Sequence, residues 1–157
     1  MSLGPRLWHS IFFWRRATAV LGTFSLAFLV AAIIAREPPD FSAMPIVAVV
    51  RDGEQRPIWA IRLARTAHQI AADCLRPQPA PAGGVYQLWL LIPDSAGPHP
   101  LGLLPLSGRK PIPVTPENAH LLAGEGELEV TPEPIGGSRA PGPSGPTLFH
   151  GSLEGSG

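Results

Sequence analysis

The sequence predicts a mainly β protein in two parts: a single N-terminal transmembrane helix, then an antiparallel β-sandwich-like domain with one short helix. Three observations carry this reading. Residues 17–35 hold no charge, Asn, Gln or Pro. From residue 46 onward the apolar residues fall into short runs divided by turn formers. The 20 Pro and 17 Gly among 157 residues exclude a protein built of long helices.

Residues 17–35, A-T-A-V-L-G-T-F-S-L-A-F-L-V-A-A-I-I-A, would make a helix of about 28 Å, close to the ~30 Å hydrocarbon core of a bilayer. Arg15 and Arg16 stop the run on one side and Arg36-Glu37-Pro38-Pro39 on the other, with Trp8 and Trp14 where an interfacial belt would sit. Residues 1–36 carry four Arg and no acid, which places the N-terminus in the cytoplasm. Everything after about residue 36 is then expected to lie outside, on a single-pass chain. A cleaved signal peptide has the same ingredients but a shorter apolar core and a small-x-small end, where this run ends Ala32-Ile33-Ile34-Ala35, with Ile33 where a small residue is wanted. The expected division is a short cytoplasmic segment at 1–16, the span at 17–35, a linker at 36–45, the β domain at 46–153 and a flexible tail at 154–157.

Within the β domain, residues 46–50 (I-V-A-V-V) are rich in β-branched side chains, and residues 57–63 (P-I-W-A-I-R-L) follow across an Asp52-Gly53 turn, so a hairpin is expected. Residues 68–75 would place Ile70, Ala72 and Cys74 on one face of a strand; a helical turn is the alternative. Residues 85–92 (V-Y-Q-L-W-L-L-I) are apolar on both faces, which suits a central strand covered on both sides. Residues 101–106 form a further strand. Thr115-Pro116-Glu117 supplies a helix cap, a first-turn Pro and an early acid, with Gly124 as the stop. Residues 128–131 and 147–153 complete about seven strands, a number typical of a sandwich.

Chemistry is sparse. The five His show no paired metal spacing, and Cys74 alone can make neither an internal disulfide nor a zinc site. Glu125, Glu127, Glu129 and Glu133 lack the D-x-D-x-D-G frame of a calcium loop and read as solvated residues that discourage edge pairing. Nucleophile elbow, phosphate loop and H-E-x-x-H motifs are missing from the sequence, as is any basic stripe for nucleic acid. The expectation is a protein that is not an enzyme, has no cofactor and does not bind nucleic acid.

Four pieces resemble the outer domain of the anti-sigma-K factor family of RskA type. They are Trp14-Arg15-Arg16; R-P-I-W-A-I-R-L at 56–63; Y-Q-L-W-L-L at 86–91 with L-G-L-L at 101–104; and the end L-E-V-T-P-E-P-I-G-G-S-R-A-P-G-P-S-G-P-T-L-F-H-G at 128–151. The residues carrying the likeness are Trp59, Tyr86, Leu88, Trp89, Glu133, Pro134, Gly136, Gly137, Ser138, Gly145 and Pro146, in a structural rather than catalytic role. The resemblance implies a single-pass regulator of the bacterial inner membrane, its C-terminal domain periplasmic, whose cytoplasmic helical domain withholds an extracytoplasmic-function sigma factor from RNA polymerase. Its outer domain guards or senses, and membrane and periplasmic proteases release the factor. Here only sixteen residues precede the apolar run, so the sigma-binding domain is expected to be separate from this chain or missing. The alternative is an anchored extracytoplasmic binding module with no sigma partner.

Overall fold

A computed structural model describes residues 40–64 and 68–153, together with Arg15, Thr18, Ser25, Phe28 and Ala31. The chain divides into two compact units, Met1–Pro39 and Asp40–Gly157.

In the first unit the five described residues are helical, and the Thr18 hydroxyl donates to the Arg15 carbonyl at 3.1 Å. Most of the expected span at 17–35 lies outside the described residues. A membrane-crossing helix needs about 20 continuous apolar residues, and among the described residues no helix is long and apolar enough to cross a membrane. The transmembrane helix and the single-pass inner-membrane location are corrected accordingly.

The described residues of the second unit form one antiparallel sheet of eight strands: β1 (Ile46–Arg51), β2 (Pro57–Ala64), β3 (Gln69–Cys74), β4 (Gly84–Leu91), β5 (His99–Leu103), β6 (Gly108–Pro113), β7 (Glu127–Pro134) and β8 (Phe149–Ser152). The helix α1 (Pro116–Leu121) lies between β6 and β7. The strand order is β5-β4-β7-β8-β1-β2-β3-β6. This corrects the sandwich. Every neighbour in that order is hydrogen-bonded, so the strands form one continuous ladder that curls into a nearly closed barrel rather than two facing sheets. Register shifts between Ile46 and Ala48, between Val50 and Arg51, and between Leu88 and Trp89 mark irregularities of the kind that bend and twist a sheet.

The hairpin turn between β1 and β2 follows the Asp-Gly signal, with Asp52 Oδ1 accepting from the backbone N–H groups of Glu54 at 3.0 Å and Arg56 at 2.9 Å. Strand β6 had no sequence signal, since G-R-K-P-I-P carries two Pro and two cations. It is an edge strand, where a missing N–H and exposed charge are tolerated. Helix α1 begins as its cap predicts: the Thr115 side chain accepts from the Asn118 N–H at 3.1 Å.

The inside is filled by side chains, as an eight-stranded barrel allows. Val50, Trp59, Ile61, Leu63, Ile70, Leu88, Leu90, Leu128 and Val130 belong to one buried cluster. Trp59, Tyr86 and Phe149 meet edge to face with ring centroids 5.0 to 5.6 Å apart, a favoured arrangement of ring quadrupoles. The Trp59 indole N–H reaches the Pro105 carbonyl at 2.9 Å.

The edge strands β5 and β6 close on each other without a ladder. Gly102 on β5 has φ +143°, and a Cβ there would sit 2.4 Å from Cγ2 of Ile112 on β6. The α1 residue Asn118 donates from its amide to the Pro100 carbonyl at 3.2 Å. The helix that follows β6 is thereby tied to β5 across the seam.

Candidate functional site

Strands β4 and β7 pair over their whole length, with Gln87 opposite Thr131 and Trp89 opposite Glu129. Since successive side chains alternate between faces, Tyr86, Leu88, Leu90, Leu128 and Val130 fill the barrel. Gln87, Trp89, Thr131 and Glu133 project from the outer face. These four are nonetheless buried, Trp89 at 1% and Glu133 at 3% exposure. The cover is the Pro/Gly-rich segment 135–147, which lies over the outer face as a strap.

The strap is held by side chains beneath it. Thr131 is the middle of a relay: its Oγ1 accepts from the Trp89 indole N–H at 3.0 Å and donates to Glu133 Oε1 at 2.5 Å. The same carboxylate oxygen accepts from the Ser144 N–H at 2.9 Å and more distantly from the Gly145 N–H at 3.4 Å. The Ser144 hydroxyl donates to Glu133 Oε2. At the other end of the strap the Ser138 N–H donates to Gln87 Oε1 at 2.7 Å. Gly136 and Gly137 take φ of +95° and +96°, and a Cβ on Gly137 would stand 2.6 Å from Gln87 Oε1. A side chain at Gly137 would therefore lift the strap from its seat.

Burial by itself would raise the Glu133 carboxyl, but the hydrogen bonds from Ser144, Thr131 and Gly145 outweigh it and hold the group below its ordinary range. Glu133 is thus ionised at neutral pH and serves purely as an acceptor. An open cavity of about 630 Å³ adjoins it, lined in part by Pro81, Gly83, Tyr86, Pro132, Ser144 and Leu148.

A second polar cluster lies on the outer face of β2, β3 and β6. Asp73 pairs with Arg109 directly across the ladder and with Arg62 at 2.9 Å. The Arg62 guanidinium also donates to the Met44 carbonyl at 2.6 Å, pinning the segment before β1. The hydrogen bond from Arg109 leads in holding the Asp73 carboxyl below the usual range, against burial and together with Arg62. Further round the outside, Val49, Arg51, Glu127, Glu129, His150 and Ser152 border an open cleft of about 380 Å³. Among the described residues no group of three or more His, Cys, Asp or Glu side chains is arranged to hold a metal ion.

The family model described as anti-sigma-K factor RskA, C-terminal, matches residues 17–147. The chain belongs to this family. Neither a comparison with curated proteins nor one with solved structures found a match.

In this anti-sigma-K C-terminal domain the residues of the sequence resemblance divide into two places. Trp59, Tyr86 and Leu88 lie inside the barrel. Trp89, Glu133, Gly137, Ser138 and Gly145 converge on the strap and its seat, while Pro134 leads into the strap, Gly136 lies in its first turn and Pro146 sits at its exposed end. The expectation that Glu133 is a solvated edge residue is overturned, because β7 is an interior strand between β4 and β8. Sequence reasoning missed Gln87, Thr131 and Ser144. A signal existed for the first: Gln87 is the one amide side chain in V-Y-Q-L-W-L-L-I, and a buried amide calls for a partner. The ion pairs of Asp73 gave none, since Arg62 and Arg109 lie 11 and 36 residues away.

Proposed function

We propose that residues 46–153 are the regulatory C-terminal domain of an anti-sigma factor that restrains an extracytoplasmic-function sigma factor and thereby transcription. The single observation carrying this is the family match over residues 17–147. In this reading the barrel acts by binding rather than by catalysis, and a helical sigma-binding domain does the sequestering. Proteolysis of the regulator releases the factor. The buried motif residues keep the barrel and its strap closed. What supports a regulatory rather than a sequestering role is that the matching family model is the C-terminal one of an anti-sigma factor.

The test is genetic. Deleting the gene should raise transcription from the promoters of one extracytoplasmic-function sigma factor, and restoring it should return transcription to its starting level. A purified 40–153 fragment should retain no sigma factor in a pull-down. Unchanged transcription of every such regulon after deletion would overturn the reading in favour of a binding module without a sigma partner. Tight capture of a sigma factor by the fragment would overturn the assignment of sequestration to another domain.

A further inference from the structure

Among the described residues, no backbone-to-backbone hydrogen bond ties residues 138–147 to the barrel. The last such bond on one side closes the turn from the Gly137 N–H to the Pro134 carbonyl, and the next on the other side joins the Leu148 N–H to the Val130 carbonyl. Between them the strap is fastened by side chains alone: Gln87 holds Ser138, Glu133 holds Ser144 and Gly145, and Glu129 accepts from Thr147 at 3.0 Å. The remaining bonds of Ser138, to Ala140 and Gly142, are internal to the strap and stabilise its own shape. The barrel's strands, by contrast, are bonded along both edges at β7, β8, β1, β2, β3 and β4. Segments held by few non-ladder bonds open at lower free energy than ladder strands.

We propose that residues 135–147 form a clasp that opens as a unit about Gly136-Gly137 while the barrel stays folded, with Glu133 as its latch and Gln87 as its second fastening. Opening uncovers the outer face of β4 and β7, and with it the Trp89 indole, whose N–H and ring are sealed from water when the clasp is shut. The relay from Trp89 through Thr131 to Glu133 couples the covered face to the latch, so loss of the carboxylate frees both the strap and the indole. This device stands on geometry and holds whether or not the domain serves an anti-sigma factor.

The experiment is amide hydrogen exchange on the full chain, joined with hydroxyl-radical footprinting of Trp89 read by mass spectrometry. In the unaltered protein the Ser138, Ser144 and Gly145 amides should exchange faster than those of Leu88 and Val130. Glu133→Ala should speed the Ser144 and Gly145 amides by about tenfold to a hundredfold and raise labelling of Trp89, leaving Leu88 and Val130 unchanged. Gln87→Ala should do the same at Ser138. Equal exchange of strap and ladder amides in the unaltered protein would overturn the proposal without recourse to any variant. So would variants in which strap and ladder accelerate together, or in which Trp89 labelling does not change.

Discussion

Glu133 illustrates how a carboxylate can be both buried and charged. Isolated in an apolar setting it would take up a proton, yet donors from Thr131, Ser144 and Gly145 surround it and favour the ionised form. Glu129 lies on the same face of its strand, and Tyr86 lines the adjoining cavity. Because the folded value is depressed, the stability it contributes is present above 4.5, its ordinary value, and is lost as the pH falls through the folded value. Asp73, also depressed, adds to the same acid loss. We expect the domain to hold its stability from neutral pH down to the ordinary carboxylate range and to weaken below it. Urea unfolding as a function of pH checks this, and Glu133→Gln should flatten the acid limb. An acid limb as steep in the variant as in the parent would count against the assignment of charge to Glu133.

The seam between β5 and β6 shows what decides closure at the level of elements. Edge strands are exposed to unwanted pairing; here β6 carries Pro111, Pro113, Arg109 and Lys110, and β5 carries Pro100. The two approach through Gly102 and Ile112, at a backbone angle that only glycine adopts readily. Gly102→Ala should therefore destabilise the domain by about 1–3 kcal/mol through overpacking and backbone strain. Ile112→Ala should cost about 2–5 kcal/mol by itself. In the double variant the clash is relieved, so the sum of the single effects should exceed the measured loss by at least 0.5 kcal/mol, within the ordinary range of ~0.5–3 kcal/mol for residues in contact. Strict additivity in chemical denaturation would show that the seam is not packed through this pair.

For the whole molecule, one barrel accounts for the described residues of the second unit, and residues 40–153 contain its eight strands, α1 and the strap. Expressed alone, residues 40–153 should give a β-dominated circular dichroism spectrum and a single cooperative unfolding transition without added metal. A helix-dominated spectrum, or two separated transitions, would contradict a single core. The sequence by itself determined the kind of protein: alternating and doubly apolar runs mark strands, the Asp-Gly and Thr-Pro-Glu signals mark a turn and a helix start, and the motif at 128–151 marks the family. All of these are local signals, readable within a few residues, because they reflect backbone preference and the direction of successive side chains. The order of strands, and so a barrel in place of a sandwich, was decided only by tertiary structure, since pairing partners are distant in the chain and each apolar strand fits many neighbours. The same holds for the strap, whose seat depends on Ser138 meeting Gln87 across 51 residues. Only that long-range cover turns Glu133 from a solvated acid on a strand into a buried latch, because burial depends on what lies above a residue and not on its own place in the chain.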